Sequence, residues 1–306
     1  MNRPLSDRNE EAAEKVARLK QLFLPYPPHV HLHSRFDYLQ RLGRLTRGQP
    51  QMGMRVLAPS GSGKSAAAAA YIALVESRTP RRADFIPVIK VDLERAMTSK
   101  KLMTIILDAF GDPHSGHGNE LMLKRRACAC FERFQPELLI VNEIQHLNYR
   151  NGPKNDVTDT LKGLLDAGVV PMVFMGTEEA AGLFSRNLQL NGRLLAPCDL
   201  PPLDSRKGAD RELFSQFVVR LEQAIVDQAI LPLPSALHDA DVLPALFEVS
   251  GGVIGRVSRL FQVAVEVAVR RGSDRLELAD ISWAIDHWAV EQSFIKQNPL
   301  KGMVHV

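Results

Sequence analysis

The spacing of apolar positions changes character along the chain. Over residues 1–24, charged residues surround Val16, Leu19, Leu22 and Phe23 at helical spacing. Pro25-Tyr26-Pro27-Pro28 must stop that helix, because proline lacks the donor and clashes with the preceding turn. A second periodic stretch, Phe36, Leu39, Leu42 and Leu45, leads to the polar break Arg47-Gly48-Gln49-Pro50. The pattern then shifts to short apolar runs separated by amphipathic stretches. Met54–Leu57, Phe85–Val91, Leu138–Val141 and Val169–Met175 predict strands buried on both faces, and the helices between them predict an α/β fold, a parallel sheet with helices on both faces. After Leu200-Pro201-Pro202-Leu203 the short strands cease. Patterns at Leu213–Ile230, Val242–Val249, Val257–Val269 and Ala279–Val290 predict a small all-helical lid domain. The expected organisation is an N-terminal helical arm over 1–45, an α/β domain over 46–203, the lid over 204–294 and a tail over 295–306.

Composition adds little to this. The 306 residues are 45% hydrophobic and 24% charged, enough for a buried core. Apolar stretches such as Ala66–Val75 and Pro171–Met175 fall well short of the roughly 20 residues that span a bilayer, and Met1-Asn2-Arg3-Pro4 leads into charge. The expectation is a cytoplasmic protein with no membrane partner. Cys128 and Cys130 lie two apart on a predicted helix and face different ways, which argues against a disulfide framework or a zinc site. A net charge of +3 fits nucleic acid only if the basic residues gather on one face.

Ala58-Pro59-Ser60-Gly61-Ser62-Gly63-Lys64-Ser65 follows a predicted strand and opens a predicted helix, the setting a phosphate-binding loop requires. Ser60, Gly61, Ser62, Gly63, Lys64, Ser65 and Ala66 are the candidate nucleotide-binding residues: backbone N–H groups turn inward around a phosphate, Lys64 reaches the outer phosphate oxygens, and Ser65 offers its hydroxyl to Mg²⁺. Ala58 stands where such loops usually begin with glycine, a place that tolerates a side chain at negative φ, whereas Gly61 and Gly63 need conformational freedom. About eighty residues on, Leu138-Leu139-Ile140-Val141-Asn142-Glu143 resembles a Walker B strand. Glu143 is the candidate general base, and Asn142 occupies the metal position with a neutral amide that brings no charge to the cation. The alternative is that these two residues simply end a strand.

Val173-Phe174-Met175-Gly176-Thr177-Glu178 delivers Thr177 to a strand's carboxyl end, as a polar sensor beside the γ-phosphate or as the cap of the helix starting at Glu178. Arg186 and Arg193 lie beyond it, and Arg193 is the first candidate to reach a neighbouring subunit's nucleotide, against a solvated surface role. In the lid, Arg256 is the candidate to lean back over the phosphates, with Arg259 its competitor.

Two basic clusters are candidate DNA contacts: Thr98, Lys100 and Lys101 at a helix start, and Arg150 with Lys154 in the loop after the Walker B strand. Neither has the aromatic interleaving of a sequence reader, so backbone contacts are expected, with a solvated cap or loop as the alternative. His29, His31 and His33 would form a metal tripod only on an extended strand, and a turn beside the prolines is the expected arrangement. Lys124-Arg125-Arg126 reads as a solvent face, and Trp283 with Trp288 as packing between lid helices.

The loop Ala58–Ser65, the strand Leu138–Glu143 with Ile144-Gln145-His146-Leu147, the run Met175-Gly176-Thr177-Glu178-Glu179-Ala180 and the segment Gly251–Leu260 together resemble the TniB/TnsC family of AAA+ transposition regulators, over most of residues 10–290. The specific part is their combination with the proline-interrupted arm and the Gly176-Thr177-Glu178-Glu179 run. Ala58 and Asn142 depart from the family pattern. The resemblance implies a P-loop AAA+ ATPase that uses ATP and Mg²⁺, assembles as a homo-oligomeric ring or helical filament on double-stranded DNA, and works with a DDE transposase and a TniQ-type target selector. Hydrolysis then drives disassembly, slowly if Asn142 weakens the metal site. The rivals are another DNA-loading AAA+ ATPase, IstB-like or of the helicase-loader or initiator type, and a small-substrate P-loop kinase.

Overall fold

The computed structural model describes residues 5–149, 156–235, 237 and 242–303. Helix α1 (Leu5–Gln21) ends before the proline cluster, and α2 (Pro27–Leu45) begins within it. A first helical turn has no intrahelical partner for its N–H groups, so proline costs nothing there, and the residues that stop α1 also start α2. This corrects the expectation at His29, His31 and His33, which lie on a helix rather than on a strand or turn. The helical period sets His29 and His33 one turn apart, with His33 Nε2 donating to Ala67 O at 2.8 Å, while His31 is exposed. Among the described residues no group of three His, Cys, Asp or Glu side chains is placed to hold a metal ion.

The chain divides into two compact units: Pro28–Ser60 with Lys64–Pro201, and Met1–Pro27 with Gly61–Gly63 and Pro202–Val306. The first contains β1 (Gly53–Leu57), α3 (Lys64–Arg78), β2 (Val88–Asp92), α4 (Ser99–Ala109), α5 (Glu120–Phe134), β3 (Leu138–Asn142), α6 (Asp156–Asp166), β4 (Met172–Gly176), α7 (Ala181–Arg186) and α8 (Leu188–Asn191). Among the described residues the strands form one parallel sheet in the order β1-β4-β3-β2. Strands β2 and β4 begin later than their apolar runs because Pro87 and Pro171 immediately precede them, and proline cannot donate to a ladder. The register sets Leu57 beside Gly176 and Asp92 beside Asn142, so several strand ends converge at one edge.

Beyond β1 the ladder continues irregularly. Leu195, Cys198 and Leu200 donate to the carbonyls of Gly53, Arg55 and Leu57 at 2.8, 2.9 and 2.8 Å. The step from Leu195 to Cys198 spans three residues against two on β1, a slip at Pro197, which has no N–H to give.

Leu102, Ile106 and Leu107 of α4 and Leu123, Ala127 and Phe131 of α5 are buried with Leu139, Val141 and Phe174 of the sheet. Each fully buried side chain of Leu, Ile or Phe size contributes about 1.5–3 kcal/mol. Helix α2 packs on α3 through Phe36 against Tyr71, ring centroids 5.2 Å apart. Tyr71 donates to Gln40 Oε1 at 2.6 Å, and Gln40 donates to Glu137 Oε2 at 2.6 Å, which keeps these buried polar groups partnered. The basic run on α5 is only partly a solvent face: Lys124 and Arg125 are exposed, but Arg126 forms an ion pair with Asp112 and donates to His117 O at 3.0 Å.

The second unit holds α1, α9 (Gly208–Asp227), α10 (Val242–Ser250), α11 (Ile254–Arg271) and α12 (Leu278–Ala284), which continues into a π-helical turn, Ile285–Val290. Its core gathers Leu19, Phe214, Phe217, Leu246, Phe261 and Ala264. Glu277 and Asp280 cap α12 reciprocally, and the buried Asp280 carboxylate is held by Arg271 at 2.8 Å. Trp288 packs on Phe294, with centroids 5.2 Å apart. Trp283 departs from the expected helix packing: it is 44% exposed and stacks on His287, one turn away on the same face.

Candidate nucleotide site

The loop after β1 takes the backbone its sequence requires. Ala58 is buried outside the left-handed region and donates its N–H to Gly176 O at 3.0 Å, tying the loop to the end of β4. Gly61 and Gly63 take φ of +79° and +86°, where a Cβ would be strained. Ser62 and Lys64 are buried, while Ser60, Ser65 and Ala66 are exposed. Lys64 opens α3, where unpaired N–H groups and the helix dipole already present positive potential. A buried ammonium at that place favours an anion, as a phosphate-binding loop demands. Gly255 belongs to the same compact unit as Gly61–Gly63, and a Cβ on it would overlap the carbonyl oxygen of Gly61 and lie 3.2 Å from Gly63 N. Only glycine fits so close to a backbone, a constraint the sequence alone did not reveal.

Asn142 ends β3 almost fully buried. Its Nδ2 donates to Asp92 Oδ1 at 2.7 Å and lies 3.5 Å from Ser65 Oγ, while its Oδ1 has no hydrogen-bond partner among the described residues. Glu143 follows at φ +60°, a region costly for a residue with a side chain and often found where function demands it. Its carboxylate accepts a short hydrogen bond from Gln145 Nε2, and Gln145 Oε1 accepts the Thr177 N–H at 3.1 Å. One buried amide, on the 3₁₀ turn Ile144–Tyr149, thus joins the candidate base to the candidate sensor. Thr177 sits at the cap position of the turn Glu178–Ala180, but its hydroxyl makes no capping bond, and Oγ1 is buried without a partner among the described residues. That leaves the hydroxyl available to a ligand, which a pure capping role would not.

Sequence reasoning missed Gln145 and Asp92. Burial alone would raise the Asp92 carboxyl, but hydrogen bonds from Lys90 and Asn142, with the Lys90 charge, hold it below its ordinary value. The available signal was a β2 run ending in a carboxylate beside a β3 run ending in an amide.

The arginines are placed differently from one another. Arg193 Nε pairs with Asp166 Oδ1 at 2.5 Å, and Arg186 is exposed on α7. Arg256 donates to Ser250 O at 3.3 Å, lies 4.6 Å from the Phe294 ring centroid, and is held below its ordinary pKa by burial. A Cβ on Gly61 would lie 3.5 Å from Arg256 Cγ, within the same unit. Arg259 is exposed and donates to Gln262 at 3.1 Å.

Of the candidate DNA contacts, Lys100 and Lys101 are exposed at the start of α4. The Thr98 hydroxyl is engaged as N-cap, accepting from Lys101 N at 3.1 Å, and Ser99 is buried against Thr160. The surface offers lysines more than hydroxyls. Arg150 and Lys154 lie outside the described residues.

The architecture is that of P-loop AAA+ proteins. The chain is similar to the Aeropyrum pernix ORC1 protein in a complex with DNA, at 17% identity and TM-score 0.61, covering 87% of this chain and 66% of that one. It is likewise similar to the Aeropyrum pernix ORC2 protein in ADPNP-ADP complexes, at 14% identity and TM-score 0.60, covering 83% and 67%, and to Drosophila ORC bound to DNA, at 14% and 0.60, covering 90% and 65%. The chain therefore spans about two thirds of the length of these structures, and the likeness is one of fold. Among curated proteins none matches it. Residues 23–203, more than half of the sequence, match the family described as Bacterial TniB protein, and the chain belongs to that family.

Proposed function

We propose that this chain is an ATP-dependent, DNA-binding regulator of transposition that oligomerises on double-stranded target DNA and recruits a transposase. The observation that carries the reading is the convergence of Ser65, Asn142, Glu143 and Thr177 at the carboxyl ends of β1, β3 and β4, with Glu143 and Thr177 joined by Gln145. In an open parallel sheet this edge is where ligands bind. Membership of the TniB family supplies the link to transposition. A DNA-loading AAA+ ATPase of the initiator type is the second reading, favoured by similarity to the origin-recognition structures.

Mg²⁺ is usually held by one or two protein groups together with nucleotide phosphates, and the residues present fit that arrangement. Ser65 would hold Mg²⁺ directly and Asn142 through water; the bound ion supplies charge neutralisation to the phosphates. Lys64 and the N–H groups of residues 60–66 bind and orient the nucleotide. Glu143 accepts a proton from the attacking water, with Gln145 fixing its carboxylate, and Thr177 Oγ1 donates toward the γ-phosphate. Arg256 of the lid acts in cis. Arg193, once released from Asp166, or the exposed Arg186 acts on a neighbouring subunit's nucleotide. Lys100, Lys101 and the Thr98 N-cap turn, with Arg150 and Lys154, bind DNA phosphates, giving affinity without strong base preference. The arm, ATPase and lid divisions at residues 45 and 203 belong to the same proposal, as do a TniQ-type selector and a cytoplasmic setting.

Electron microscopy of the protein on duplex DNA, with and without a non-hydrolysable ATP analogue, tests the assembly step. Rings or filaments should form with the analogue and vanish in Lys64→Ala, which removes a charge-assisted hydrogen bond of about 1.5–3 kcal/mol. Unchanged ATP affinity in that variant would remove the loop's assignment. Transposase recruitment to transposon-end DNA separates the transposition reading from the initiator reading, which predicts none.

A further inference from the structure

At the metal position β3 ends in the neutral Asn142, and the Glu143 carboxylate beyond it is the candidate base, yet a further carboxylate is present one strand away. Asp92, the last residue of β2, is paired in register with Asn142. Its Oδ1 accepts from Asn142 Nδ2 at 2.7 Å, and the same nitrogen lies 3.5 Å from the Ser65 hydroxyl. Asp92 is therefore the near neighbour of an amide nitrogen that also lies 3.4 Å from Glu143 Oε1 and faces the Ser65 hydroxyl. That amide is 3% exposed, and its remaining polar atom, Oδ1, has no hydrogen-bond partner among the described residues. A buried, unmatched oxygen is costly unless a ligand or water completes it. The Asp92 side chain is 56% exposed, so it is open to water and ions from the solvent side.

We infer that Asp92 supplies the negative charge for the nucleotide-bound divalent cation that Asn142 cannot, with the Asn142 amide as the bridge between that carboxylate and the Ser65 side of the site. The inference rests on the nucleotide reading above and assigns its metal charge to a residue outside the Walker B strand. The amide does two things in this arrangement. It donates to Asp92, which fixes the carboxylate's orientation, and it keeps an acceptor, Oδ1, for a metal-bound water. Lys90 holds the other side of Asp92, with Nζ 2.6 Å from Oδ2 and 2.7 Å from Oδ1. The lysine stabilises the carboxylate when no cation is present and competes with the cation when one arrives, which predicts a metal site weaker than one built on an unpaired aspartate.

The test titrates Mn²⁺ by electron paramagnetic resonance into the full chain with a non-hydrolysable ATP analogue, and separately measures analogue affinity in chelator. Asp92→Asn keeps the size and an acceptor for the Asn142 amide, so the fold should hold. Mn²⁺ affinity of the protein-nucleotide complex should fall about 10- to 100-fold, while analogue affinity in chelator stays unchanged. Combining Asp92→Asn with Asn142→Asp moves the charge back onto β3 and keeps a hydrogen bond between the strands, so Mn²⁺ affinity should return. Unchanged Mn²⁺ affinity in Asp92→Asn, or no recovery in the double variant, overturns the assignment and leaves the phosphate loop standing. A wild-type chain that binds no analogue at all overturns the nucleotide reading itself.

Discussion

Gln145 is the residue whose removal most directly tests the geometry of the strand ends. It is buried, donates to the Glu143 carboxylate, and accepts the Thr177 N–H at 3.1 Å. Gln145→Leu keeps the volume and deletes both bonds. A hydrogen bond to a charged group contributes about 1.5–3 kcal/mol, and a buried N–H left unmatched costs about 1–3 kcal/mol, so a net loss of about 3 kcal/mol is expected. At roughly 2–4 °C per kcal/mol for a domain of this size, the melting temperature should drop by about 6–12 °C. Turnover should fall more than stability explains, because Glu143, held at φ +60°, loses the group that aims it, and a well-placed general base contributes about 10²–10⁴-fold. Gln145→Glu separates the two effects. It keeps an acceptor for the Thr177 N–H but sets one carboxylate against another in place of a donor, so turnover should fall while the Thr177 contact is retained. The assay is steady-state phosphate release on DNA, with thermal unfolding run alongside. If Gln145→Leu melts within about 1 °C of wild type and hydrolyses ATP at the same rate, the bridge does not exist in solution and the catalytic placement of Glu143 loses its support.

Changes elsewhere at the site have equally defined outcomes. Lys100→Ala with Lys101→Ala should weaken binding to random duplex DNA and flatten its salt dependence by about 0.9 in log–log slope for each phosphate no longer neutralised, with ATP binding intact; an unaltered slope would assign both lysines to solvated capping of α4. Asn142→Asp should increase steady-state hydrolysis and shorten the lifetime of DNA-bound assemblies, measured by phosphate release and by dissociation from immobilised DNA. The new carboxylate faces Asp92 in place of a donor, so without metal the variant should lose about 1.5–3 kcal/mol of stability and regain much of it with Mg²⁺ and nucleotide. Glu143→Gln should suppress the remaining hydrolysis while leaving ATP-dependent assembly in place, and equal turnover in that variant would move the base elsewhere.

The linear sequence was sufficient for features that depend on local periodicity and on residues adjacent in the chain. Four continuous apolar runs could be satisfied only by strands buried on both faces, and the glycines of Ala58–Ser65 between a strand and a helix could be read as a phosphate loop because its function is carried by consecutive backbone groups. The last helical patterns were legible for the same reason. The proline cluster was half legible: its chemistry announces a stop, but its suitability for a first helical turn is equally strong, and the structure starts α2 at Pro27, with Phe36 packed on Tyr71, which leaves the three histidines on a helix.

Tertiary structure decided whatever depended on neighbours distant in sequence. No spacing rule connects Asp92 to Asn142, fifty residues apart, because parallel register is fixed by how whole strands bury their faces. Gln145 stood in plain view beside Glu143, yet its second partner, Thr177, comes from the next strand of the sheet. The exposure of Trp283 and the capture of Arg126 by Asp112 likewise depend on which flank of a helix meets another element, a choice that an amphipathic pattern leaves open for residues at its margins. The sequence determined which chemical groups this protein carries and in what local frame; folding determined which of them share a site, because hydrogen bonds and charges act through a few ångströms of space and not along the chain.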